Sequence, residues 1–214
     1  MIDKETKVPI WNIANILTII RIAAIPLFII LLIMVVPEKS HRGNWFDLTP
    51  SEPQGNNFIY CLVAAILFSI ASVTDYLDGY LARKRNLVTN LGKLLDPLAD
   101  KLLVIGAMIM MVELHRVPGW MALVVIAREI GITALRGMAT DQGIVISASQ
   151  LGKYKTATQM PALVALILYY EFPIFIIRSV DAYAVGMVLF AFAVILTVWS
   201  GLDYFLKFWK MMIE

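Results

Sequence analysis

Residues 75–100 read DYLDGYLARKRNLVTNLGKLLDPLAD, which sets four aspartates inside a chain that is otherwise nearly continuous hydrocarbon. Asp75, Asp78, Gly79, Ala82 and Arg83 stand at i, i+3, i+4, i+7 and i+8, a single stripe along an α-helix. Gly92, Asp96 and Asp100 form a second stripe at i, i+4 and i+8. If the short basic link from Lys84 to Thr89 turns the chain back, the two helices are antiparallel neighbours and the stripes face each other. Four carboxylates so gathered cannot all stay ionised unaided, because like charges raise one another's pKa and desolvation adds to the effect. A bound divalent cation, or two, resolves the conflict.

The 214 residues are 60% hydrophobic and 16% charged, with a mean hydropathy of +0.77. That exceeds the apolar share of an ordinary soluble domain and predicts an integral membrane protein. Apolar segments at roughly 14–36, 58–82, 91–112, 120–138, 158–170 and 182–204 are each read as a span of a ~30 Å hydrocarbon core. The fifth would be extended on its N-terminal side. The fold class is therefore all-α, a membrane bundle of six helices forming one domain over residues 1–214. A short interfacial segment precedes it, with Trp11 at headgroup depth. Residues 37–57 are read as a connection, and 141–156, with Ser147, Ser149, Lys153 and Lys155, as a polar binding loop.

Cys61 lies in an apolar run, where packing is its role, and no removable signal peptide is expected. The net charge of +2 gives no reason to expect a nucleic-acid partner. The distribution of charge says more. Six spans put both termini on one side, and only Lys39, Arg42, Arg116 and Arg178 then fall on the other. The excess of basic residues places the termini and the aspartates at the cytoplasmic face, which fits the inner (cytoplasmic) membrane of a cell.

Ionisable groups within membrane segments are costly and mark functional sites by default. The alternative is a set of structural ion pairs with Arg83, Lys93 and Lys101, but burying four such pairs gains a bilayer protein little. Oxygen ligands without matching His or Cys favour Mg²⁺ or Mn²⁺ over zinc. Two such ions would stabilise the attacking and leaving oxygens of a phosphoryl-type displacement. Gly79 and Gly92 would let a nucleotide or diphosphate approach the helix backbone, helix packing being the plainer use of either. Asn15, Thr18 and Arg21 form a polar edge on the first span, facing the aspartates or, for Arg21, snorkelling to the interface. An ion-coupled transporter could also hold acids between helices, but no inverted repeat with paired broken helices is visible.

The pattern Asp75-x-x-Asp78-Gly79-x-x-Ala82-Arg83, eight residues, then Gly92-x-x-x-Asp96-x-x-x-Asp100 resembles the signature of the CDP-alcohol phosphatidyltransferases at every motif position. The resemblance implies six membrane helices, a homodimer, and two divalent metals held by Asp75, Asp78, Asp96 and Asp100. It implies Asp100 as general base as well, with Gly79, Ala82, Arg83 and Gly92 lining the CDP moiety.

The second half of the chain bears on the acceptor. Arg128-Glu129, Leu135-Arg136, Ser147-Ala148-Ser149 and Gly152-Lys153-x-Lys155-Thr156-x-x-Gln159 are similar to the branch of that family that makes phosphatidylglycerol phosphate. Asn15-x-Leu17-Thr18-x-x-Arg21 also fits and adds Asn15 and Thr18 to the nucleotide side. The substrates implied are CDP-diacylglycerol, a membrane lipid, and sn-glycerol 3-phosphate. Serine, inositol phosphate or phosphatidylglycerol are the other acceptors open to the family. A phosphate dianion wants several cations, so Arg128, Arg136, Lys153 and, less centrally, Lys155 are the expected clamp. Solvated interfacial charges would be the plainer reading of the same residues.

Overall fold

The computed structural model describes residues 13–35, 57–85, 90–141, 150–173 and 179–213. Side chains of 13–14, 75–85, 90–94, 96, 141, 171–173, 179–180 and 211–213 are outside that description. Among the described residues six helices run in order: α1 Ile13–Ile33, α2 Asn57–Arg85, α3 Asn90–Glu113, α4 Gly119–Asp141, α5 Gln150–Leu168 and α6 Ala182–Ile213. Between α5 and α6, β1 Glu171–Pro173 pairs antiparallel with β2 Ser179–Asp181. The protein is an all-α membrane fold with this one small ladder added. The N-terminal interfacial segment, the connection expected at 37–57 save Asn57, and Ser147 and Ser149 lie outside the described residues.

Among the described residues, α1, the first part of α2 and most of α6 are long and apolar enough to cross a bilayer by composition alone. The other three helices have 24, 23 and 19 residues, about 29–36 Å at 1.5 Å per residue, and each carries charged groups within it. Ile30, Ile66, Ile70, Leu123, Val188 and Ile195 are among many large apolar side chains left exposed, the outer surface expected of a protein solvated by lipid. Hydroxyls on these helices are satisfied internally: Ser69, Ser72, Thr74, Thr133 and Thr197 each donate to the carbonyl four residues back. They need no water, which the bilayer core lacks.

The interior is built from large side chains set against small ones. Phe28 of α1 packs on Phe68 of α2 with ring centroids 5.8 Å apart. Ala64, Ala107, Ala162 and Ala193 are fully buried where helices meet. The α5–α6 interface is the most extensive. There a Cβ on Gly186 would lie 3.0 Å from the backbone nitrogen of Leu166, so the close approach requires glycine.

Helix ends are capped from within. Asp181 Oδ1 accepts from the Tyr183 amide at 2.8 Å and starts α6. Past the end of α3, His115 takes φ 59° while the amides of Arg116 and His115 bond the carbonyls of Met111 and Val112, a Schellman arrangement. Arg116 lies in the turn between α3 and α4, as its place between two apolar segments suggested, yet is only 5% exposed. It donates to the Leu166 and Ile167 carbonyls at the end of α5 and to Cys61 Sγ, with Tyr169 beneath its guanidinium at 4.3 Å. Cys61 is indeed a buried packing residue.

One sequence reading needs correction. Residues 150–156 are not part of a loop but the first turns of α5. The apolar pattern begins only at Thr158, whereas the helix begins where backbone hydrogen bonding does.

Candidate active site

Because the helices alternate in direction, the starts of α1, α3 and α5 and the ends of α2, α4 and α6 gather at one end of the bundle. Among the described residues Asp100, Lys101, Arg128, Glu129, Arg136 and Lys155 lie toward that end. Asp75, Asp78, Gly79, Ala82 and Arg83 lie in helical register on α2, and Gly92, Asp96 and Asp100 on α3, both helices being continuous through these positions and packed on each other. Pro97 stands within α3 rather than at its start, and membrane helices tolerate it. Of these motif residues only Asp100 has a described side chain. It is half-buried and lines a pocket of about 60 Å³ with Lys101, Glu129, Lys155 and Gln159.

Glu129 is the hub of that pocket. Its Oε1 accepts from Lys155 Nζ and lies 3.7 Å from Arg128 Nη1, while its Oε2 lies 3.6 Å from Lys101 Nζ. Lys155 is 1% exposed, so its ammonium depends on this partner. Asp100 lines the same pocket as Lys101 and Lys155 and adds a second carboxylate to it. Glu129 has no assigned role in the spacing argument, yet an isolated acid in an apolar helix is a signal that would have found it.

The arginines are held by α6. Arg128 Nη2 donates to Ser200 Oγ at 3.1 Å, and a Cβ at Gly201 would lie 3.2 Å from Arg128 Cγ. Arg136 lies over the Tyr204 ring, its Cζ 5.9 Å from the centroid. Ser200 and Tyr204 have no sequence signal, since a hydroxyl in an apolar helix reads as packing. Of the four expected clamp cations, Arg128 and Lys155 meet around Glu129, Arg136 stands nearby on the same helix as Arg128, and Lys153 points elsewhere, exposed and two residues from Lys155. On α1, Asn15, Thr18 and Arg21 are buried, and none lacks a partner. That burial inside the protein differs from a snorkelling Arg21.

A second cavity of about 460 Å³ opens between α2, α5 and α6 and is almost wholly apolar. Phe68 and Val73 line it from α2, Val164 and Leu168 from α5, and Val185 from α6. Met160 borders both this groove and the polar pocket, so the two adjoin. Among the described residues no three His, Cys, Asp or Glu side chains come together; the side chains of Asp75, Asp78 and Asp96 fall outside that set.

The charge arrangement suits an anionic substrate beside an acid, with an apolar annex. Comparison with known proteins agrees. The family model for CDP-alcohol phosphatidyltransferase matches residues 11–199. A Bacillus subtilis (strain 168) protein named CDP-diacylglycerol–glycerol-3-phosphate 3-phosphatidyltransferase is 44% identical over 200 residues, covering 94% of this chain and 96% of its own. Proteins of the same name from Rickettsia typhi and Haemophilus influenzae are each 36% identical, covering 91% of this chain and 95% and 91% of their own.

Proposed function

This chain belongs to the CDP-alcohol phosphatidyltransferase family, and from that premise we propose that it transfers the phosphatidyl group of CDP-diacylglycerol to sn-glycerol 3-phosphate, yielding phosphatidylglycerol phosphate and CMP. The observation that carries the reading is the meeting of Asp100 with Lys101, Glu129 and Lys155 around one pocket, in a chain similar over nearly its whole length to proteins named for this reaction.

In this reading the acceptor's phosphate is bound by Arg128, Arg136 and Lys155, with Lys153 an outer cation. Guanidinium groups suit phosphate because their donors form a planar fork. The Asp100 carboxylate takes the proton of the acceptor's primary hydroxyl. The freed oxygen attacks the β-phosphorus in line, the bond to the bridging oxygen breaks, and CMP leaves with that oxygen. Gly79, Ala82, Arg83, Gly92, Asn15 and Thr18 hold the nucleotide. The apolar groove beside Met160 supports a lipid-linked donor, since along α5 it runs from Met160 to Leu168, about 12 Å at 1.5 Å per residue.

Asp75, Asp78, Asp96 and Asp100 would hold two Mg²⁺ or Mn²⁺ ions, whose chemistry is to neutralise the oxygens of the diphosphate. The donor set fits hard ions, being carboxylate oxygen throughout and carried on two helices that pack together. We extend the reading to a homodimer in the cytoplasmic membrane, with both termini and the site on the cytoplasmic side, supported by the asymmetry of basic residues.

The test is CMP release by purified protein in detergent from CDP-diacylglycerol with sn-glycerol 3-phosphate, serine, inositol phosphate or phosphatidylglycerol. Turnover should be specific to sn-glycerol 3-phosphate, vanish with a chelator and return with Mg²⁺ or Mn²⁺. Equal turnover with another alcohol would overturn the acceptor, and activity undiminished by chelation would overturn the metal assignment.

A further inference from the structure

The pocket between α3, α4 and α5 contains a polar atom that the reaction as described does not use. Gln159 is 2% exposed, and its Oε1 has no hydrogen-bond partner. Buried amide oxygens are almost always satisfied, so each exception calls for a cause. Gln159 stands one turn beyond Lys155 on the same face of α5 and lines the pocket with it and with Asp100. Among the described side chains lining that pocket, it alone carries a buried atom without a partner.

We propose that Gln159 is a specificity-determining residue, its Oε1 accepting a hydrogen bond from the middle hydroxyl of the acceptor. This rests on the acceptor reading above. An amide oxygen can only accept, so it cannot serve the phosphate, which also only accepts at neutral pH. It requires a donor such as O–H. Glycerol 3-phosphate offers three polar points on three carbons: the phosphate for the cations, the terminal hydroxyl for Asp100, and the middle hydroxyl. The last lacks an assigned partner, and among the described residues lining this pocket Gln159 Oε1 is the buried acceptor left to take it. A site built to bond a particular hydroxyl rejects the analogue without it, because the protein atom is then left buried and unpaired.

The test compares sn-glycerol 3-phosphate with 3-hydroxypropyl phosphate, which keeps the phosphate and the reacting hydroxyl but lacks the middle one. Initial CMP release is measured in detergent with CDP-diacylglycerol and Mg²⁺. The unmodified protein should prefer the diol by roughly a hundredfold or more in kcat/KM. In Gln159→Leu and Gln159→Met that preference should fall to within a few-fold, through loss of activity on the diol alone. Their unfolding midpoints should be unchanged or higher, because the orphan acceptor is gone. Equal losses on both acceptors, failure of both variants to fold, or an intact preference in folded variants would each overturn the assignment, as would an unmodified protein that does not discriminate. If that protein releases CMP with a different alcohol and not with sn-glycerol 3-phosphate, the acceptor reading itself falls; turnover of glycerol phosphate with selectivity unmoved by Gln159→Leu removes only this inference.

Discussion

Lys155 on α5 donates to the carboxylate of Glu129 on α4, although among the described residues the two helix backbones make no close approach. Two long side chains therefore bridge a gap, and the gap is the pocket. The same carboxylate holds Lys101 and Arg128, so one anion keeps three mutually repelling cations in place.

Glu129→Gln removes that anion. We expect kcat/KM for sn-glycerol 3-phosphate to fall by roughly 10- to 100-fold, as the loss of one charge-assisted contact of about 1.5–3 kcal/mol would require. Glu129→Asp should recover part of the loss, and steady-state CMP release measures both.

Lys153 and Lys155 are two residues apart on a helix and so lie on different faces. Lys155→Ala should raise KM for the phosphate acceptor by about tenfold or more, the effect of one lost charge-assisted bond, with little change for CDP-diacylglycerol. Lys153→Ala should raise it by less than about threefold, as befits an exposed cation. Comparable effects would show that α5 does not select between them.

Gly201→Ala places a methyl group 3.2 Å from Arg128 Cγ. The guanidinium must shift, loosening its bond to Ser200. KM for the acceptor should rise several-fold, while unfolding of the purified protein stays within about 1 kcal/mol of the parent, since the added methyl meets a flexible side chain.

Arg116 works at the other end of the bundle. Arg116→Ala leaves the Leu166 and Ile167 carbonyls and Cys61 without their donor, and should destabilise by about 2–4 kcal/mol. Thermal inactivation in detergent should accelerate markedly, with kcat/KM at low temperature nearly unaltered. Arg116→Lys should rescue little, because one ammonium cannot reproduce the fork or its stacking on Tyr169.

Val73→Trp narrows the apolar groove beside Met160. Turnover of long-chain CDP-diacylglycerol should drop several-fold relative to a short-chain form. Equal turnover of the two would place the lipid tails elsewhere.

How much of this was legible from residue order follows from the range of each interaction. Membrane insertion, six helices and the paired aspartate stripes depend on hydropathy and on positions three or four apart, which a helix brings together whatever surrounds it. Arg128 and, less centrally, Lys155 were singled out as candidate cations on chemistry alone, and both meet Glu129. Neither the start of α5 at Gln150 nor the burial of Arg116 could be read in this way. The first depends on backbone hydrogen bonds extending past the apolar pattern. The second depends on two carbonyls some fifty positions away.

Residue order thus determined the class of fold and the candidate site positions, because both are encoded by local periodicity. Tertiary structure alone decided which side chains meet: Glu129 with Lys101 and Lys155, Arg128 with Ser200, and Gln159, with an unpaired oxygen, in the pocket that Asp100 lines. Those relationships join different helices, and their geometry is set by how apolar faces pack, which no short stretch of sequence contains.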